Sequence, residues 1–418
     1  MLFPEPVCMT VKSSQLLASA SLRKWTKVRP LENLACAGFE HLCVIMFHAA
    51  SICFFMRRDD WGFPGWTVLP VGVALFVLTG VLIHRIGLLG HESSHHLLVP
   101  NRFWNDVLAN LICFFPLWSS LSSYRAKHSG HHLHPNDPDH DPNWAGDKAA
   151  ELYARFPMPR PSFIFQYYVK FFWPPFVFRN LLDLAKVLSV GNAPKASDRR
   201  PWFKSPNILG VLHLLALIGV TFTSEVTLEP AWVLVPPITF HCLVLGVMSL
   251  LPKSFYESGP STGLSYSRKG GAMFRLTFHA VIFFVLCGLQ LLTGLEITLY
   301  YVVFWILPLG YVFPYLMLLR EVYQHANLGR GKLDNSRIIY ADPFTRWAVL
   351  GYGNDFHLVH HIYPNIPHYH LRGAHAELME SSAAYREQFE ETVGTFRAPE
   401  GKRSLLDSLS GRHRQPAA

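Results

Sequence analysis

Charged residues are scarce in this chain of 418 residues: Asp, Glu, Lys and Arg make up 16%, where a soluble domain carries roughly 25%. That shortfall, beside 50% hydrophobic residues and a mean hydropathy of +0.18, excludes an ordinary soluble protein and a disordered one alike. Cysteine is sparse too. The seven present (Cys8, Cys36, Cys43, Cys53, Cys113, Cys242 and Cys287) are odd in number and include no CxxC pair, so a secreted disulfide framework is excluded. All but Cys8 sit in apolar runs, as small core hydrophobes do. No GxGxxG follows a strand, no HPGG-type haem motif occurs, and no internal repeat stands out. Basic residues outnumber acidic ones by 37 − 29 = 8 but gather in no single stripe, which fits a face on anionic lipid better than nucleic acid.

What the chain does have is apolar length. Runs near 34–56, 66–89, 207–222, 231–251, 274–296 and 298–318 can each cross a hydrocarbon core, whereas the run near 104–118 is too short and amphipathic. Six crossings are expected. The turn Thr223–Pro230 holds Glu225 and Glu229 without a base, and the next outer turn has Glu296. Lys253, Arg268 and Lys269 instead mark the 252–273 loop, with Arg275 just after it. The positive-inside rule therefore puts the amino terminus, the 90–206 region, that loop and everything from 319 on the cytoplasmic side. Arg57 and Arg58 fall on the other side, next to Asp59 and Asp60. Residues 1–31 read as a basic cytosolic tail, with Lys12, Arg23, Lys24, Lys27 and Arg29 against Glu5 and no apolar core for a cleaved signal peptide. Their serines and missing acids also resemble an organellar transit segment. The stretch 156–188 mixes aromatics, prolines and bases as an interface-lying segment does.

Histidine is the anomaly: there are 22, and they cluster. His91-Glu92-Ser93-Ser94-His95 follows a span and sets two imidazoles one helical turn apart. His128-Ser129-Gly130-His131-His132 has the form HxxHH, and His357-Leu358-Val359-His360-His361 repeats it more than 200 residues later. The lone histidines His41, His48, His84, His213, His241 and His279 are expected to be satisfied core residues. The eight in the clusters (His91, His95, His128, His131, His132, His357, His360 and His361) exceed what one tetrahedral zinc accepts, so they imply two metals. Imidazole suits several transition metals. Iron is favoured here because lipid chains offer unactivated C–H bonds, which need a redox metal and dioxygen.

HESSH, HSGHH and HLVHH, with HHIYPNIPHYHL continuing the third, resemble the three histidine boxes of the membrane-bound fatty acid desaturase superfamily. The resemblance covers roughly residues 65 to 380. It implies an all-α integral membrane bundle of about six helices, with a helical cytosolic cap holding a histidine-rich diiron centre. It further implies two Fe ions, O2 as co-substrate, a lipid or fatty acyl substrate, and two electrons from an external carrier such as ferredoxin or cytochrome b5. The expected organisation is a tail at 1–31, a desaturase-like membrane domain with its cap at 32–380, and a polar tail at 381–418. A ninth ligand is expected at His325, at the cytosolic end of the last span. Four residues earlier, where acyl desaturases often carry asparagine, stands Glu321, able to ligate iron or act in catalysis. Asp137, Asp139, Asp141 and Asp355 are candidate partners for ligand imidazoles. His96, His134, His140, His368 and His370 are surplus to the pattern and rank as supporting residues. The function expected is introduction of a double bond into a fatty acyl chain. Rivals are a hydroxylase or ketolase acting on a carotenoid, alkane or other lipid, an intramembrane zinc protease using His91, Glu92 and His95, and a metal transporter. The protease has no use for the two HxxHH boxes, and a transporter would favour ionisable residues in mid-span.

Overall fold

The structure is a computed structural model that describes residues 16–143, 155–175, 206–256 and 263–411. Residues 1–15, the 176–188 part of the interfacial stretch and the tail beyond 411 lie outside the described residues. The described residues are mostly helical, with only two short strands. Six segments are long and apolar enough to cross a membrane: Ser19–Arg57, Gly65–Ser94, Leu209–Thr227, Pro230–Leu250, Arg268–Thr293 and Ile297–His325. They are the six runs read from the sequence, and the 104–118 run is not among them. That run folds as a short helix, Arg102–Ala109, followed by a wider turn at Asn110–Phe114. Outward faces of the spans carry Phe39, Leu243 and Leu292, exposed by 61%, 65% and 86%. Such faces would be unfavourable in water and are at home in lipid.

In chain order the helices are α1 (Ser19–Trp25), α2 (Pro30–Arg57), α3 (Val68–Ser94), α4 (Arg102–Ala109), α5 (Leu121–Leu133), α6 (Pro206–Thr227), α7 (Val235–Leu250), α8 (Arg268–Thr293) and α9 (Ile297–His325). There follow α10 (Pro343–Ala348), α11 (His357–Ile362), α12 (Leu371–Ser381), α13 (Ala383–Gln388) and α14 (Leu405–Ser410). Local chemistry sets several ends. Pro30 stands at the start of α2 with Glu32 in its first turn and Arg57 in its last, matching the helix dipole. Ser267 caps α8 by accepting from the Gly270 N–H, and Gly294, left-handed at φ 66°, ends it.

The chain forms two compact units. The membrane unit comprises Arg29–Gly130 and Ile164–Leu319. Within it α2 and α3 are joined by an ion pair, Arg85 to Glu40 at 2.7 Å, whose carboxylate is fully buried. Helices α3 and α9 touch through glycine: a Cβ on Gly80 would lie 2.3 Å from the Cβ of Val312. Replacing Gly80 by alanine should therefore overpack this contact at a cost of about 1–3 kcal/mol. A lowered melting midpoint in detergent is the expected readout; a parental midpoint would show that the two helices can part freely there.

The second unit comprises Met1–Val28, His131–Phe163 and Arg320–Ala418. Its core gathers Leu16 and Leu17 with Ile338, Phe356, Leu358, Val359, Ile362 and Leu378. Two short parallel strands, β1 (Arg337–Tyr340) and β2 (Glu390–Val393), pair with Arg337 opposite Glu390. The amino-terminal segment is docked here: the Leu17 N–H donates to the Tyr363 hydroxyl at 3.1 Å, and Trp25 Nε1 donates to Glu377 at 2.8 Å. The stretch after 381 carries α13, β2 and α14, the last opened by a reciprocal cap between Ser404 and Asp407.

Candidate metal centre

The third box shows how local sequence aims imidazoles. His357-Leu358-Val359-His360-His361-Ile362 folds as α11, and at roughly 100° per residue His357, His360 and His361 share one face. Leu358, Val359 and Ile362 take the opposite face and are buried in the core. The core contact thus fixes which way the histidines point. Gly353, left-handed at φ 68°, begins the turn into α11, and a Cβ there would meet the His368 carbonyl at 2.6 Å. In the second box His128, His131 and His132 share a face of α5 by the same spacing, and His325 is the last residue of α9.

Within the second unit the donor atoms of His131, His325, His357 and His361 all lie within 4.8 Å of one another. His131 Nδ1 meets the Asp141 carboxylate at 2.9 Å, and His325 Nδ1 meets the Asn335 carbonyl at 2.9 Å. Both partners are acceptors, so in its neutral form each ring donates through Nδ1 and turns its lone pair on Nε2 toward the other ring. The two Nε2 atoms face each other at 3.2 Å. A cation held by the four rings would accept both lone pairs. His361 Nε2 and His357 Nε2 approach to 3.1 Å in the same group. Burial, and then the neighbouring imidazoles of His132 and His357, hold His361 well below the usual histidine pKa, so it is neutral and able to ligate. The residues fit a metal ion. His132 and His360 form a separate pair in this unit, Nε2 to Nε2 3.1 Å.

In the membrane unit His91, His95 and His128 come together, their donor atoms also within 4.8 Å of one another. His95 Nε2 and His128 Nε2 are 2.9 Å apart. Burial pushes the His95 pKa down to about 3, with the Arg125 cation and His96 adding to it. Arg125, one turn before His128, was not singled out from the sequence. Its Nε donates to the Ser94 carbonyl at 3.0 Å and its Nη2 to Asp106 at 2.7 Å, while the Asn105 amide donates to the Ser93 carbonyl at 2.9 Å. The carbonyls left over at the end of the first-box helix are thereby satisfied. Burial alone would raise the Asp106 pKa, but hydrogen bonds from Arg125 and Ser265 outweigh it and hold the group below the usual range.

The four candidate aspartates differ. Asp141 is buried, and besides His131 it accepts the backbone N–H groups of Asn136 and Asn143, each at 2.9 Å. Asp137 and Asp139 instead build the loop, with Asp137 accepting from the Asp139 N–H at 2.9 Å and lying 3.3 Å from His140. Asp355 pairs with Arg346 at 3.2 Å. Glu321 is not among the clustered donor atoms. Its Oε1 accepts from the Asn143 amide at 2.6 Å, and Arg320 lies 3.9 Å from its other oxygen. Of the surplus histidines, His134 lies by His140, His368 by Tyr352 and His370 by Trp25. His96 stands 3.8 Å from Asp106. Asn335, Asn143 and Arg125 carried no signal in the sequence.

The family model described as fatty acid desaturase matches residues 64–257 and 255–392, the stretch that carries every clustered histidine. Among characterised proteins, a dihydrorhizobitoxine desaturase of Bradyrhizobium elkanii is 22% identical over 355 residues, 84% of this chain and 79% of that protein. A chloroplastic omega-6 fatty acid desaturase of Arabidopsis thaliana is 23% identical over 77% of this chain, which spans 55% of the plant enzyme. An sn-1 oleoyl-lipid 12-desaturase of Synechocystis is 32% identical over 79 residues, 19% of this chain and 21% of that protein.

Proposed function

The chain belongs to the fatty acid desaturase family, and from that premise we propose that it is an O2-dependent diiron desaturase that introduces a double bond into a fatty acyl chain. The observation that carries this reading is the group His131, His325, His357 and His361, whose donor atoms all lie within 4.8 Å of one another. These four are assigned to one iron. The remaining box histidines, His91, His95, His128, His132 and His360, are proposed from their box spacing as further iron ligands. Bound iron would supply the redox chemistry with O2 that removes two hydrogens from neighbouring carbons.

The chain's own residues do the positioning. Asp141 and the Asn335 carbonyl fix the tautomer and aim of His131 and His325. Arg125 and Asn105 tie down the first-box helix end near His95. Electrons are assigned to a separate carrier of the ferredoxin or cytochrome b5 type, since the sequence offers no haem or dinucleotide motif of its own. The positive-inside pattern supports an active site on the cytoplasmic side of the membrane. The relatives' names cover dihydrorhizobitoxine as well as fatty acyl lipids, so the acyl substrate is part of the proposal.

The test joins metal and product. Anaerobically purified protein should contain about two irons per chain, by the count of ligand groups against the four that a single tetrahedral site takes. Cells expressing the chain with a competent reductase should accumulate an unsaturated lipid that the host lacks. One zinc and no iron would sink the diiron reading, and a hydroxylated or oxygenated product would move the chain to the hydroxylase or ketolase branch.

A further inference from the structure

The largest fully buried side chain of the second unit is Arg337, on β1, with no exposed surface. A guanidinium hidden to that degree must satisfy its donors internally. It does so at the end of the helix that carries His325. Nη1 donates to the Tyr323 carbonyl at 2.9 Å, Nη2 donates to the Ala326 carbonyl, and Nε donates to Ser408 Oγ at 3.0 Å. The first acceptor lies in the last turn of α9 and the second just past its end, where carbonyls lack intrahelical donors. Two residues before Arg337, the Asn335 carbonyl receives His325 Nδ1. One short strand entry therefore grips both the ring of His325 and the helix end beneath it.

The third donor leads to the carboxyl-terminal segment. Ser408, on α14, passes its own hydroxyl proton to Glu390 at 2.9 Å, and Glu390 is the β2 residue paired with Arg337 across the strands. Asn327, left-handed at φ 61° just beyond α9, donates to the carbonyls of Ser408 and Gly411, each at 2.8 Å. The end of α9 is thus bonded to α14 twice, by different residues. Composition reads the stretch after 381 as a polar tail; its contacts are those of a brace.

We propose that Arg337 and Ser408 are positioning residues for His325, so that α14 sets the affinity of the four-histidine metal site from more than 80 residues away in sequence. This rests on the assignment of His131, His325, His357 and His361 to a metal. The guanidinium fixes where α9 stops, the stop fixes where the His325 ring stands, and the ring must stand within about 0.5 Å of its place to ligate well. Loss of a partner one step removed from a ligand typically weakens metal binding ~10–100-fold.

The experiment titrates Fe(II) anaerobically into the metal-free full-length protein in detergent, for the parent, Ser408→Ala, Ser408→Thr and Arg337→Lys, and follows the melting midpoint of each. Ser408→Ala should weaken one of the two binding phases about 10-fold and leave the other unchanged, with a lowered metal-free midpoint because the buried guanidinium loses an acceptor. Arg337→Lys, which cannot reach all three acceptors, should weaken the same phase more, and Ser408→Thr, which keeps the hydroxyl, should titrate as the parent does. Parental affinities in Ser408→Ala, or both phases weakened alike, would overturn the proposal. A parent that itself shows no two-phase binding would instead overturn the diiron assignment, which separates the two failures.

Discussion

Replacing His361 by alanine should abolish product and remove iron from the four-histidine group. Its Nε2 lies 3.1 Å from that of His357, and its ring is in contact with those of His131, His132 and His325. The residue is one of the four proposed ligands. Loss of a group that only supports a ligand costs ~10–100-fold, and loss of a ligand should exceed that range. Nothing in the alanine variant can refill the place, because α11 is held by Leu358, Val359 and Ile362 in the core and cannot turn to offer another donor. His368→Ala is the control: His368 packs on Tyr352, outside both donor groups, and should keep near-parental yield and iron. The measurements are iron per chain and unsaturated lipid per cell. Near-normal product from His361→Ala would show that the four-histidine group is not the seat of the chemistry.

The second large effect is expected at Glu321. Its carboxylate accepts from Asn143 at 2.6 Å and stands by Arg320, whose side chain is 6% exposed. Removing one member of a buried charged pair leaves the other uncompensated, which typically destabilises by about 3–5 kcal/mol. Glu321→Ala should therefore lower both stability and iron content, and reduce product at least ~10-fold if the Asn143 contact also supports the loop that carries Asp141. Glu321→Asn keeps a polar acceptor one methylene shorter and matches the residue that acyl desaturases often carry. It should hold iron and change the rate or the ratio of products. Parental iron and parental lipid profile in both variants would show Glu321 to be a helix-end residue with no part in the reaction. A shift from oxygenated to unsaturated product in Glu321→Asn would instead make this carboxylate the feature that tunes the outcome.

The six spans and the eight box histidines could be read without a structure for a physical reason: both signals are local. A span announces itself by apolar length alone, since every backbone group in lipid must be satisfied within the helix. Box spacing does the same, because residues three and four apart share a helix face whatever lies across from it. Partnership is different, since it depends on how distant elements meet. His131 and His132 are neighbours in sequence, yet the first joins His325, His357 and His361 while the second pairs with His360. Spacing alone treats Asp137, Asp139 and Asp141 as equals; the loop's turn gives only Asp141 to an imidazole of the boxes. The carbonyl of Asn335, the guanidinium of Arg337 and the hydroxyl of Ser408 act on His325 through contacts spanning 10 to 71 residues. No pattern in a linear chain marks a backbone carbonyl as a ligand's support. Apolar length and histidine spacing, being properties of single segments, determined the class and the candidate donors; only the packing of segments remote in sequence decided which imidazoles converge and what holds them there.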